Sequence, residues 1–200
     1  VIHALGADPG SSAAWALVEL ERGSLPRFLA LAEVHGSEDK WLSRARDGLR
    51  ACLDRVPEAS PDLCWIERPP DRVRRDASVR HHASAAGLGI RAGMMAGVYY
   101  MATGKSAELV DPGTWQQRAW GRGRVGPKAQ GADKAQVALQ RVRLAASLVP
   151  GSRPVLEAIS MSRQADCAEA VLIAGAAALA CLARQTTPAL GRRAPRQEDE

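Results

Sequence analysis

The sequence predicts an α/β domain with a mixed central β-sheet flanked by helices. Residues 1–34 hold three short apolar segments split by turn residues, the pattern of an antiparallel meander. From Trp41 onward, apolar residues at helical spacing alternate with compact apolar segments, the order of an α/β chain. The 200 residues, 46% of them hydrophobic, suffice for one domain with a sizeable core and are too apolar for a disordered chain.

Val1 to Ala7 reads as a strand that stops at the turn Asp8-Pro9-Gly10. Ala13 to Leu20 and Phe28 to Val34 are two further strands, separated by the turn-rich ERGSLP. Trp41, Leu42, Ala45, Leu49 and Leu53 mark one face of a first helix. Leu63 to Ile66 is a strand that stops at Glu67, ahead of Pro69 and Pro70. Ala83 to Met101 is a long helix with Gly89, Gly93 and Gly97 at four-residue spacing and Gly104 as a C-terminal stop. Glu108 to Val110 is a short strand, and Ala132 to Leu148 and Gln164 to Ala183 are helices. The folded domain is expected over residues 1–184, followed at 185–200 by a polar Pro/Arg tail with the composition of a disordered segment.

Aromatic residues make up only 4% of the chain, so the core must rely on Ala, Leu, Val and Ile. The four cysteines show no C-x-x-C spacing and sit among apolar neighbours, as buried reduced thiols would. No signal peptide is expected, because Asp8, Pro9 and Gly10 interrupt the N-terminal stretch. The longest apolar run, Ala170 to Ala183, is 14 residues, short of a bilayer span. These features predict a cytoplasmic protein without a membrane anchor. The net charge of +5 is concentrated: Arg118 to Arg143 holds seven basic residues and one acid, Asp133. Such an excess suits either a solvated basic face or a polyanion such as a nucleic-acid backbone.

Four acids stand apart from this pattern. Asp166 and Glu169 lie three residues apart at the mouth of the last apolar helix, so they share a face. A negative pair near a helix N-terminus is also favoured by the macrodipole. Asp8 closes the first strand and Glu67 a later one. Taken singly, Asp8 suits a turn and Glu67 a solvated strand end. If those strands are parallel neighbours, both carboxylates emerge at one end of the sheet, where α/β folds keep their sites. Four clustered carboxylates repel one another unless cations lie between them, and hard oxygen donors suit Mg²⁺ or Mn²⁺. Two such ions about 3.5–4 Å apart can activate water and stabilise the leaving oxygen in phosphodiester cleavage.

The stretches GADPGSSAAWALVEL, WIER, GADKAQV and QADCAEAVLIAGAA resemble the four sequence blocks of RuvC-family Holliday-junction resolvases. They occur in the family's order and at similar spacing, across most of residues 2–180. The resemblance implies an RNase H-like fold and a Mg²⁺-dependent endonuclease, usually a homodimer, that nicks branched DNA such as four-way junctions. It places Asp8, Glu67, Asp166 and Glu169 as metal-binding catalytic acids and Lys134 close to the scissile phosphate. Three features mark a divergent, phage-type pattern. Glu169 stands where the family more often has aspartate. Arg68, Pro69 and Pro70 follow the strand-end glutamate where many relatives carry a junction-wedging aromatic. The loop GRGRVGPKAQGADK is longer than usual.

Arg122 and Arg124 sit among glycines that let the backbone approach a phosphate, with Lys128 just beyond, and they suit a DNA-contacting loop. Arg74 and Arg75, in RPPDRVRRD beside the site, are further candidate DNA contacts, although Asp71 and Asp76 partly offset them. Trp115 and Trp120 could stack on bases, but core packing is the simpler expectation. Three functions remain open at this level: a junction-resolving endonuclease, an RNase H-fold nuclease acting on forks, flaps or RNA–DNA hybrids, and a catalytically silent DNA-binding module. The complete set of acids disfavours the last.

Overall fold

The structure is a computed structural model describing residues 1–10, 12–35, 37–55, 61–68, 79–120 and 133–186. Five strands, β1 (Ile2–Asp8), β2 (Ala13–Leu20), β3 (Arg27–Val34), β4 (Leu63–Glu67) and β5 (Glu108–Val110), form one sheet in the order β3-β2-β1-β4-β5. The first three strands are the antiparallel meander, while β4 and β5 run parallel to β1. The predicted mixed α/β architecture is therefore present, with β1 and β4 as parallel neighbours in register from Ala4↔Leu63 to Ala7↔Ile66.

The helices are α1 (Glu38–Leu53), α2 (Val79–Thr103), α3 (Pro112–Trp120), α4 (Lys134–Leu148), α5 (Arg153–Glu157) and α6 (Met161–Thr186). Strand alternation sorts the core into two layers. Ile2 and Ala4 of β1, with Leu63 and Trp65 of β4, pack with α6 and with Trp115, Val142 and Leu156 from α3, α4 and α5. Leu5, Ala7, Cys64 and Ile66 point to the other face, against Trp41, Leu49, Met95 and Tyr99 of α1 and α2. The same alternation puts Gly6 and Asp8, and likewise Glu67, on the α6 side.

The core helix α6 lies directly on β1. A Cβ on Gly6 would stand 2.2 Å from the Ala174 nitrogen and 2.5 Å from the Ala170 carbonyl oxygen, so only glycine permits this approach. At the helix's far end Arg184 grips Glu108 of β5 through both terminal guanidinium nitrogens, at 2.7 and 2.9 Å. By length and composition α6 could cross a membrane. Here it is the central core helix, with 67% of its most apolar window buried inside the protein.

Several expectations change. Helix α6 begins at Met161, three residues before the predicted start, so Asp166 and Glu169 lie in its second and third turns rather than at its mouth. They are thus beyond the unpaired N–H groups of the first turn, and the macrodipole does not account for them. The same helix runs through Thr186, past the expected domain end at 184, and the remaining residues lie outside those described. Helices α3 and α5 are absent from the sequence prediction. Gly104 does close α2 in the left-handed region (φ 71°), its N–H donating to the Tyr100 carbonyl.

Candidate active site

Chain direction and side-chain alternation bring the four acids to one end of the sheet. Asp8 ends β1, and Glu67 ends the parallel neighbour β4. On α6, Asp166, Ala170 and Ala174 follow one another at i, i+4 and i+8, along the stripe that meets Gly6. The close contact at Gly6 therefore fixes Asp166 one helical turn further on, opposite Asp8.

The turn after β1 joins these two carboxylates. Gly10 N–H donates to Asp8 Oδ1 at 2.9 Å, and Ser12 N–H donates to Asp166 Oδ2 at 3.2 Å. A Cβ on Gly10 would stand 3.2 Å from Asp8 Oδ1 and 3.4 Å from Asp166 Oδ2, so the two carboxylates flank the same small space. Arg91 of α2 donates to the Gly10 carbonyl at 3.4 Å, tying the turn to the opposite layer.

The other two acids have side-chain partners that sequence reasoning missed. Trp115 is fully buried, as core packing requires, and its indole N–H donates to Glu67 Oε2 at 2.8 Å. Arg141 of α4 pairs with Glu169, Nε to Oε1 at 2.8 Å, with both side chains largely shielded (14% and 23% exposed). In the sequence Arg141 stands out only as one of the segment's basic residues. Its partner lies 28 positions away on another helix, and no local spacing signals the pair.

The site's electrostatics record the crowding. Burial pushes the Asp8 carboxyl well above its ordinary value, and the charges of Glu169, Glu67 and Asp166 push it further; the Gly10 N–H opposes them. Burial, with Glu169 next, raises Glu67 to about 7, against the hydrogen bond from Trp115 and the positive charge of Arg141. Burial also raises Asp166, opposed by the Ser12 N–H. Two acids on strands and two on a helix thus lie at one sheet end, and positive charge there would stabilise the ionised forms of Asp8, Glu67 and Asp166.

The donor set is all carboxylate oxygen, which fits hard divalent cations. In the arrangement present, no three His, Cys, Asp or Glu side chains among the described residues stand close enough to hold a metal ion between them. Asp8 and Asp166 already flank one space, while Glu67 and Glu169 are engaged by Trp115 and Arg141.

Lys134 opens α4, whose N-cap is Asp133, with its side chain accepting from Ala135 N–H at 3.4 Å. Lys134 and Arg141 are seven residues, two turns, apart, so their backbone positions fall on one side of α4. The Lys134 side chain lies outside the described set, as do Arg74, Arg75, Arg122, Arg124 and Lys128 altogether.

A mixed five-stranded sheet in the order β3-β2-β1-β4-β5, flanked by helices, is an RNase H-like fold. Among solved structures, the chain is similar to Thermus thermophilus RuvC in complex with a Holliday junction substrate, with 19% identity and a TM-score of 0.57 over 92% of this chain and 97% of that one. It is likewise similar to another Thermus thermophilus RuvC structure, with 19% identity and a TM-score of 0.53 over 92% and 96% of the two chains. No family model matches the chain, and no curated protein does.

Proposed function

We propose that this protein is a cytoplasmic, divalent-metal-dependent endonuclease that nicks branched DNA and resolves Holliday junctions by phosphodiester hydrolysis. The observation that carries this reading is the meeting of Asp8, Glu67, Asp166 and Glu169 at one sheet end, on a fold that a junction-bound RuvC also has. Asp8, Glu67, Asp166 and Glu169 would hold Mg²⁺, or Mn²⁺ in its place, as a pair of ions. Bound there, the metal would supply water activation and leaving-group stabilisation. The chain's own part is positional. The Gly10 and Ser12 N–H groups orient Asp8 and Asp166, Trp115 orients Glu67, and the apolar layer beneath keeps water from the buried side of the carboxylates. Lys134, at the start of α4, is assigned to the scissile phosphate, and Arg122, Arg124, Lys128, Arg74 and Arg75 to the DNA backbone.

A four-way junction has two symmetric scissile positions, so coordinated resolution calls for two sites related by a two-fold axis. We infer a homodimer formed through α2. Its outward side carries exposed Ile90 and Met101 (65% and 88%), and a Cβ on Gly93 or Gly97 would meet nothing within 4 Å. The row continues into a groove of about 570 Å³ lined by Leu42, Met94, Val98 and Met101. Small residues and adaptable methionines on one helix side suit close approach by a second helix.

The test is cleavage of four-way junctions, forks, flaps, RNA–DNA hybrids and linear duplex by the wild type and by Asp8→Asn. Junction-selective nicking that Asp8→Asn abolishes, with binding intact or tighter, is the expected result. Preference for hybrids or flaps would make it a different RNase H-fold nuclease, and binding without cleavage a silent module.

A further inference from the structure

We propose that, in the DNA-free protein, Arg141 is a built-in counter-ion that withholds Glu169 from metal. The inference deepens the metal-dependent reading above and rests on it. Three observations converge on it. Arg141 reaches Glu169 through a direct, largely shielded ion pair at 2.8 Å, so the guanidinium and any metal compete for the same carboxylate. Helix α4, which carries Arg141, packs along α6, where the buried Val142 and Ala145 meet the core, so Arg141 is held on a rigid element. Glu169 is one methylene longer than an aspartate, and its carboxylate points to α4 while Asp166, one turn earlier, points to the turn after β1.

A resident cation here has a definite effect. It offsets one of the four negative charges in the absence of metal, so the cluster stays assembled without bound ions. It also repels an incoming divalent ion and removes one donor. A phosphate of the DNA is the natural competitor for a guanidinium, so metal loading at Glu169 would follow substrate engagement rather than precede it.

Arg141 is a positioning residue, and Mn²⁺ affinity without DNA, measured by calorimetry or by the free-Mn²⁺ resonance signal, tests its role. Arg141→Gln should tighten Mn²⁺ binding about tenfold or more, because it removes a positive charge and the guanidinium that competes for Glu169. Arg141→Lys should stay near the wild type. The double variant Arg141→Gln/Glu169→Gln removes the pair without changing net charge, and it should bind Mn²⁺ within about threefold of the wild type. Wild-type binding that Arg141→Gln leaves unchanged or weakens would overturn the withholding role while leaving the metal site standing. A loss of more than about tenfold in the double variant would also overturn it, by making Glu169 a ligand in the resting protein. If neither the wild type nor Arg141→Gln binds Mn²⁺, the metal reading and this inference fall together. Binding only by Arg141→Gln would establish the block.

Discussion

Glu67→Gln should make the metal-free protein more stable at alkaline pH. The Glu67 carboxyl is pushed from its ordinary 4.5 up to about 7 in the folded chain, first by burial and then by Glu169. Because the folded value lies above the unfolded one, the corresponding stability is present below about pH 4.5 and is lost as the pH rises through about 7. The gap of about 2.5 pH units, at about 1.4 kcal/mol each, means that ionised Glu67 costs about 3 kcal/mol at pH 8. Glutamine has nearly the same shape, and its carbonyl oxygen can still accept the Trp115 N–H. The variant should therefore be about 2–3 kcal/mol more stable to urea with EDTA at pH 8, or melt about 4–12 °C higher for a chain of this size. At pH 4.5 the two proteins should melt alike. Mn²⁺ should raise the wild-type midpoint and leave the variant's largely unmoved, since the variant has lost an anionic donor. A variant that melts below the wild type at pH 8, or an advantage that persists at pH 4.5, would refute the reasoning.

Gly6→Ala should cost about 3 kcal/mol or more in urea unfolding and should cut cleavage as well, because the new Cβ meets α6 backbone at 2.2 Å and must push Asp166 away from Asp8. Ile90→Glu with Met101→Glu should convert the proposed dimer to a monomer in sedimentation at unchanged protomer stability, since both side chains are mostly exposed. A dimer that survives both charges would exclude the outward side of α2. Neutralising Arg122, Arg124 and Lys128 together should weaken binding to every DNA structure about equally. It should also flatten the slope of log K against log salt by up to about 0.9 for each phosphate left without its cation.

Much of this architecture is legible in the sequence because it is written in short periods. Strand alternation and turn residues mark β2 and β5 to the residue, and the apolar spacing of Trp41, Ala45 and Leu49 marks α1. Because Asp8 and Glu67 each close a strand, the sequence places them at one sheet end once β1 and β4 are taken as parallel neighbours, which they are. Helix α3 is hidden because it opens on Pro112-Gly113, which reads as a turn, and among its described side chains commits only Trp115 fully to the core. Helix α5 is five residues long, too short for a period to show. The start of α6 is obscured because Ser162, Arg163 and Gln164 are polar and continue no apolar stripe. The partners of Glu67 and Glu169 are invisible for a different reason. The contacts from Trp115 and Arg141 join separate elements, 48 and 28 positions apart, and depend on how helices stack rather than on any local pattern.

The cysteines give the protein an intrinsic set of clocks. Cys52 on α1, Cys64 on β4 and Cys167 on α6 are buried and free. Burial pushes Cys52 and Cys167 up to about 12 and raises Cys64 as well. At neutral pH they are therefore neutral thiols, and an alkylating reagent needs both access and the thiolate. Each can react only when its own part of the molecule opens, so its labelling half-time times that opening. Cys52 reports the layer under α1, Cys64 the sheet interior, and Cys167 the helix turn that carries Asp166. With no engineered label, mass spectrometry of the natural chain can follow whether an added cation or a DNA junction slows the third clock while the first runs on unchanged.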